Sequence, residues 1–273
     1  MTESLLPTRF ADIAVRDSGG DGPVVLMIHG NSSCKTIFRH QFESALAERL
    51  RLVAMDLPGH GASGDARDPA RAYTLNGYAD AAVEVLERLG LARPAVLGWS
   101  LGGHVALNMI SRLPDLAGVM ISGTPPVPGT MEGFGQGFQQ NAHMALAGSD
   151  SWAEGDAEAY ARATAGSSAA FEPFMLEAAR RTHNIARSTF FADALAGEAD
   201  DQRHIAETAK VPLAIVNGAD DAFINAAYFD TVAYANLWDG RVFSLAGVGH
   251  APFWEAPGLF NPLLERFAAE TAA

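Results

Sequence analysis

The fold is decided by the stretch Val96-Leu97-Gly98-Trp99-Ser100-Leu101-Gly102-Gly103-His104. The apolar residues before the serine predict a buried strand, and the residues after it predict a helix. A serine in so sharp a strand-to-helix turn takes a strained backbone conformation, for which glycines on either side leave room. We therefore expect the Ser100 hydroxyl to project from the carboxyl edge of a sheet, in the position of a catalytic nucleophile.

On both sides of this turn, apolar runs of strand length alternate with stretches of helical periodicity. The alternation predicts an α/β fold, with a mostly parallel sheet covered by helices on both faces. The expected strands are 24–28, 52–55, 95–98, 119–122, 213–216 and 242–245, and the expected helices are 37–49, 76–89, 101–112 and about 259–269.

One region interrupts this alternation. Strand signals disappear between Gly123 and about Glu207, where Ala, Gly, Met and Phe recur with helical spacing. The proline-rich stretch 125–129 provides a linker into it. We expect a helical lid at residues 124–205, inserted into a core that residues 1–123 and 206–273 form together.

Composition and charge exclude several classes of function. The chain has 273 residues, of which 48% are hydrophobic, and a net charge of −13. So acidic a chain gives no electrostatic support for binding nucleic acid. The sequence also lacks the roughly 18 consecutive apolar residues of a membrane-spanning helix. Its start lacks the pattern of an export signal, and its single cysteine, Cys34, cannot form an intrachain disulfide. We expect a cytoplasmic monomer or weak homo-oligomer that uses no metal or cofactor.

A serine hydroxyl needs a base to take its proton and an acid to hold that base in the correct tautomer. Both residue types follow the strands of the second half of the chain, where catalytic groups gather in open α/β sheets. His250, between glycine and proline in a loop, is the expected base. Asp221 is the expected acid because it stands three residues after Gly218, and its neighbour Asp220 is the alternative.

The carbonyl oxygen of a substrate becomes negative when serine attacks, so fixed N–H donors must meet it. One expected donor is the backbone N–H of Leu101, at the positive end of a helix. The second is expected from Asn31, in the loop that follows the strand 24–28. Cys34 comes shortly after this loop, but no further pair of histidine and acid remains to activate its thiol, which predicts an inert cysteine.

Together these segments resemble the α/β-hydrolase fold, because the donor loop, serine turn, acid loop and histidine loop occur in the required order over nearly the whole chain. Within that fold the sequence looks most like the metal-independent N-acyl homoserine lactonases, which open the lactone ring of bacterial quorum-sensing signals. This closer likeness lies in five stretches, which are Met27–Ser33, Gly98–His104, Gly123–Pro126, Met144–Gly148 and Gly249–Phe253.

The resemblance implies that Ser100 is the nucleophile, that His250 is the base, and that Asn31 and Leu101 donate to the oxyanion. It also implies that Tyr160 touches the amide or lactone of the substrate. The sequence departs from the family in having aspartate rather than glutamate at 221, in a longer run at 166–171, and in an apolar Trp254. These departures concern acyl-chain preference more than reaction type.

Aromatic and methionine side chains of the lid are candidates for a channel that holds an acyl tail, although some of them must simply pack the lid on the core. The residues expected to bind substrate, besides Tyr160, are Trp99, Phe134, Phe138 and Met144, and further candidates for the channel are Trp152, Phe171, Phe174 and Met175.

The predicted function is hydrolysis of N-acyl homoserine lactones. A general carboxylesterase acting on small or medium-chain esters is the alternative enzyme, and a ligand-binding receptor with an idle triad is the alternative from another class. In a variant of the mechanism, His250 activates water directly and Ser100 only orients it. The expected partner is in each case a small lactone or ester.

Overall fold

The computed structural model describes residues 1–166, 170–197 and 200–272. Its centre is an eight-stranded sheet in the order β1-β2-β4-β3-β5-β6-β7-β8. The strands are β1 Thr2–Pro7, β2 Asp12–Asp17, β3 Val24–Ile28, β4 Arg51–Met55, β5 Ala95–Trp99, β6 Gly118–Ser122, β7 Leu213–Gly218 and β8 Phe243–Leu245. Strands β3 to β8 run parallel, and β1 and β2 add an antiparallel edge. The loops that follow the parallel strands therefore collect at one edge of the sheet.

The predicted α/β architecture is confirmed, and six predicted strands coincide with β3 to β8 to within two residues at each end. The hairpin of β1 and β2 was not predicted. Most of β1 is exposed, so it lacks the apolar run that indicates the buried strands.

Helices cover the sheet. Their bounds are α1 Arg39–Phe42, α2 Leu46–Arg49, α3 Pro69–Ala72, α4 Leu75–Leu89, α5 Leu101–Ile110, α6 Met131–Gly137, α7 Ala142–Ala147, α8 Asp156–Thr164, α9 Pro173–Arg181, α10 Asn184–Ala196, α11 Gln202–Thr208, α12 Pro252–Glu255 and α13 Pro257–Thr271. In the described part of the chain, no helix is both long and apolar enough to cross a lipid bilayer.

The single helix predicted at 37–49 is wrong. A 3₁₀ turn at Lys35–Phe38 leads into α1, and α2 follows as a separate piece. Ser44 separates the two, because its hydroxyl donates to the carbonyl of Gln41 and accepts from the backbone N–H of Leu46. Such local hydrogen bonds of serine compete with a continuous helix.

Two hydrophobic cores lie on opposite faces of the sheet, as the alternation of side chains along a strand requires. On β5, Val96 packs in one core with α4 and α5. Leu97 and Trp99 point the other way, into a second core that includes Phe253 and Phe260. The packing of helices on both faces is the arrangement expected of a parallel sheet.

Helices α6 to α11 occupy most of the chain between β6 and β7, in agreement with the loss of strand signals there. Three residues of the run 166–171, numbers 167–169, lie outside the described residues. The α11 helix continues past residue 205, and the division into a core and a lid at 124–205 remains a prediction.

Candidate active site

Ser100 stands between β5 and α5 with φ +54° and ψ −120°, a strained conformation for any residue except glycine. The residues two positions before and after it are glycines for a steric reason. A β-carbon on Gly98 would collide with the carbonyl oxygen of Gly102, and one on Gly102 would collide with the carbonyl oxygen of Ile28. The predicted turn is thus present, and it is held from both sides by close backbone contacts.

His250 and Asp221 form a buried hydrogen-bonded pair at the ends of β8 and β7. The ring Nδ1 lies 2.8 Å from Oδ2 of Asp221, and the other carboxylate oxygen accepts the backbone N–H of Phe223 at 2.8 Å. The ring is fixed further by Trp99, whose indole N–H donates to the carbonyl of His250 at 2.8 Å. An ionised Asp221 in this position favours the tautomer of His250 that carries hydrogen on Nδ1.

Asp220 lies outside this arrangement. Its backbone N–H donates to the carbonyl of Val248 at 2.9 Å, and the residue is exposed. The structure thus brings Asp221, and not Asp220, into contact with the imidazole of His250.

One cavity joins most of the residues that the sequence singled out. Ser100 and His250 line it together, and the hydroxyl of Ser100 makes no hydrogen bond to the described residues. The other predicted site residues that line the cavity are Asn31, Leu101, Phe134, Phe138, Met144 and Tyr160.

Asn31 connects the loop after β3 to the helices above the sheet. Its side-chain N–H groups donate to the carbonyl of Ala147 at 2.8 Å and to the hydroxyl of Tyr160 at 3.5 Å. Burial raises the pKa of Tyr160, which therefore stays a neutral phenol at physiological pH. Leu101 is the first residue of α5, so its N–H has no partner within the helix. The oxyanion roles of Asn31 and Leu101 remain predictions that this placement allows.

The expectation that Trp99 binds substrate is wrong. The indole is buried in the second core, with ring contacts to His250 and Phe253, and it does not line the cavity. The alternation of side chains along β5 turns it away from the face on which α5 packs. Trp152 packs instead beside Tyr160, and Phe171, Phe174 and Met175 pack against the second core, so none of these four lines the cavity.

A buried polar cluster supports the donor loop from behind. Lys35 Nζ lies 3.0 Å from Oδ2 of Asp56, and the backbone N–H of Lys35 donates to Oδ1. His29 accepts the N–H of Leu57 at Nε2, and burial lowers the pKa of its imidazole, which is therefore neutral. Burial and Asp56 raise the pKa of the Cys34 thiol, which disfavours the reactive thiolate.

Sequence reasoning missed several residues that line the cavity, among them Phe223 and Gln202, and it assigned His104 only a packing or hydrogen-bonding place near the site. Phe223 packs its ring 4.6 Å from that of His250, and a signal existed, since it stands two residues after Asp221. His104 and Gln202 line the cavity and contact each other across 98 positions of sequence, a pairing that no local pattern indicates.

Comparison with known proteins places this arrangement in a family. The model of the alpha/beta hydrolase family matches residues 25–263, which is most of the chain. The chain belongs to the alpha/beta hydrolase family. A hydrolase from Pseudomonas sp, described as acting on 2-hydroxy-6-oxononadienedioate and 2-hydroxy-6-oxononatrienedioate, is 28% identical over 94% of this chain and 92% of its own.

Two solved structures are much more similar to this alpha/beta hydrolase. The N-acyl homoserine lactonase AidH complexed with N-butanoyl homoserine has a TM-score of 0.96 and 45% identity over 99% of this chain and 97% of its own. A serine-to-glycine mutant of AidH complexed with N-hexanoyl homoserine lactone has a TM-score of 0.96 and 44% identity over 99% of this chain and 98% of its own. The likeness covers both the sheet and the helices between β6 and β7.

Proposed function

We propose that this hydrolase opens the lactone ring of N-acyl homoserine lactones to N-acyl homoserines, and so removes quorum-sensing signals. The observation that carries the proposal is the 45% identity, over 99% of the chain, with a lactonase complexed with N-butanoyl homoserine. The cavity supports it, because Ser100 and His250 lie in its wall together with apolar side chains such as Phe134 and Met144.

The proposed first step is attack of the Ser100 hydroxyl on the lactone carbonyl. His250 takes the hydroxyl proton at Nε2, because Nδ1 is already engaged with Asp221. The aspartate holds the imidazole in place and stabilises the positive charge that develops on it. This proton transfer requires Asp221 and His250 to be held in place before substrate binds. The backbone N–H of Phe223 holds the carboxylate of Asp221, and the indole N–H of Trp99 holds the backbone of His250.

The negative oxygen of the tetrahedral intermediate needs two donors. We assign the backbone N–H of Leu101, which the α5 dipole favours, and Asn31 in the adjacent loop. Ile28, the last residue of β3, is paired with Gly98 of β5, so the donor loop and the serine turn begin side by side. The Asn31 side chain is tied to Ala147, which holds this loop against the lid.

Ring opening gives an acyl-enzyme in which the leaving hydroxyl is still tethered to the acyl group. The tethered hydroxyl can have an effective molarity on the order of 10⁵ M, so it tends to close the ring again. We propose that residues 124–205 act as a lid that turns this hydroxyl aside and admits water. In the variant without an acyl-enzyme, His250 activates water directly and Ser100 orients it.

The apolar wall of the cavity supports a fatty acyl tail as the other half of the substrate. Phe134 and Phe138 stack with centroids 4.6 Å apart, and Phe191 meets Phe134 edge to face. Each methylene buried there stabilises the complex by about 0.8 kcal/mol. We also propose that the enzyme works in a reducing compartment, which its lone cysteine supports, and that it is a monomer or weak homo-oligomer.

The proposal is tested by comparing kcat/KM for N-hexanoyl homoserine lactone with kcat/KM for an open-chain ester of the same acyl group. A lactonase opens the lactone faster. Equal or faster turnover of the ester identifies a general carboxylesterase, and tight lactone binding without turnover identifies a receptor.

A further inference from the structure

The imidazole of His104 lines the cavity, and a chain of hydrogen bonds fixes which of its nitrogens carries hydrogen. Asn108 donates from its side-chain nitrogen to Asn76 and accepts from Gln202 at 2.7 Å. Gln202 donates its second N–H to the carbonyl of His104 at 3.0 Å. Both N–H groups of Gln202 are thereby used, so its oxygen, 2.6 Å from Nδ1 of His104, must accept. The hydrogen of this imidazole therefore sits on Nδ1.

The other ring nitrogen, Nε2, is left with a lone pair. Burial lowers the pKa of His104 to about 4, so the ring is neutral at physiological pH. Nε2 has no hydrogen-bond partner among the described residues, but unlike Nε2 of His60 it is not sealed inside the protein. Since His104 lines the cavity, we take this free acceptor to be available to a ligand bound there.

The backbone separation of His104 from Ser100 matches one length on the proposed substrate. His104 follows Ser100 by four residues, so its backbone lies about 6 Å further along the axis of α5. Five bonds separate the lactone carbonyl carbon from the third carbon of the acyl chain, and five bonds of an extended chain also span about 6 Å. The ring of His104 packs 5.8 Å from that of Phe138, so it lies at the beginning of the apolar wall.

We propose that His104 selects acyl chains with a hydroxyl group on the third carbon, by accepting a hydrogen bond from that hydroxyl at Nε2. This inference rests on the proposed lactonase function and adds the class of acyl chain. A 3-oxo group presents only lone pairs to Nε2, and an unsubstituted chain presents a methylene, so either one leaves the acceptor unpaired. Gln202 acts as a positioning residue, because it holds the tautomer that leaves Nε2 without hydrogen.

The test measures kcat/KM for N-(3-hydroxyhexanoyl), N-(3-oxohexanoyl) and N-hexanoyl homoserine lactones, which differ only at the third carbon. The wild-type protein is expected to prefer the 3-hydroxy lactone over each of the others by about tenfold, the effect of one neutral hydrogen bond. In His104→Phe the three values are expected to converge. The matched control Phe138→Leu, at an apolar position of the same cavity, lowers all three values and keeps the preference.

The outcomes separate this inference from the proposed function. If the wild-type protein opens all three lactones with equal kcat/KM, or if His104→Phe keeps the preference, the inference is overturned and the lactonase function stands. If none of the three lactones is opened, both are overturned. The wild-type comparison decides even if the phenylalanine variant fails to fold.

Discussion

Gly123 passes so close to the ring of His250 that a β-carbon at position 123 would lie 2.7 Å from Cε1 and 2.8 Å from Nδ1 of the imidazole. The glycine also has φ +61° and donates its N–H to Asn217 at 2.9 Å. The backbone of Gly123, directly after β6, therefore packs against the imidazole ring of His250 and limits where it can lie. Only glycine leaves the imidazole room to meet Asp221.

Gly123→Ala is expected to lower kcat by about a hundredfold, because the ring must move and a displacement of about 1 Å from productive geometry has an effect of that size. The measurement is kcat for N-hexanoyl homoserine lactone. Gly90→Ala is the matched control, since Gly90 has φ +64° and nothing within 4 Å of its added β-carbon. The control bears the same backbone strain and keeps its kcat. Equal kcat values in the two variants would contradict the role given to this contact.

Asp221→Asn is expected to reduce kcat by about 10⁴-fold without loss of folding. The amide oxygen keeps the N–H of Phe223 and the amide nitrogen then faces Nδ1 of His250, so the ring is driven to the tautomer with hydrogen on Nε2. That tautomer cannot take a proton from Ser100. Asp220→Asn is the control and should retain activity, while a greater loss in Asp220→Asn would make Asp220 the acid. Circular dichroism checks that both variants are folded.

Buried histidines predict a loss of stability in acid. Burial lowers the pKa of His60 to about 3 and that of His104 to about 4, against about 6.5 in the unfolded chain. Between these values the unfolded chain binds protons that the folded chain does not, so the free energy of unfolding falls as the pH drops from 6.5 toward 4. At pH 5 each of the two histidines accounts for about 2 kcal/mol of that fall.

Urea unfolding at pH 7 and pH 5 measures this effect. The difference in the free energy of unfolding between the two pH values should be about 2 kcal/mol smaller in His60→Phe than in the wild-type protein. His204→Gln, which changes an exposed ring, is the control and should leave the difference unchanged. An unaltered pH dependence in His60→Phe would mean that His60 is not the group responsible.

Lys35→Met is expected to destabilise the protein by about 3–5 kcal/mol, because it leaves the buried carboxylate of Asp56 without its counter-charge. The measurement is again urea unfolding at pH 7. Arg49→Met is the control, since it removes an exposed ion pair with Glu265 and should change stability little. Similar losses in the two variants would contradict the importance of burial for the Lys35 pair.

Much of the fold could be predicted because the decisive signals are local. The apolar runs of β3 and β5 and the glycines around Ser100 are each visible in a few residues. The edge hairpin could not be predicted from burial, since β1 owes its position to pairing with β2 rather than to an apolar face. The break between α1 and α2 depends on the hydrogen bonds of one serine, Ser44.

The site likewise has a part that local signals in the sequence predict and a part that depends on tertiary packing. Chain order pointed to His250 and to the loop that holds Asp220 and Asp221, and the spacing from Gly218 favoured Asp221, which the structure joins to His250. The prediction that Trp99 and Trp152 line the cavity was wrong, because residue type alone does not tell which face of a strand or helix meets the cavity. For Trp99 the strand alternation held the answer, since Leu97 and Trp99 share the face of the second core. The contact of His104 with Gln202 depends on tertiary packing alone.

The central claim is that Ser100 opens the lactone ring and leaves the amide intact. The most direct measurement is mass spectrometry of the product formed from N-hexanoyl homoserine lactone by the wild-type protein and by Ser100→Ala. The account predicts a product heavier than the substrate by one water, with the acyl chain retained, from the wild-type protein and unchanged lactone with the variant. Release of hexanoic acid, or substantial product formation by a folded Ser100→Ala variant, would contradict it.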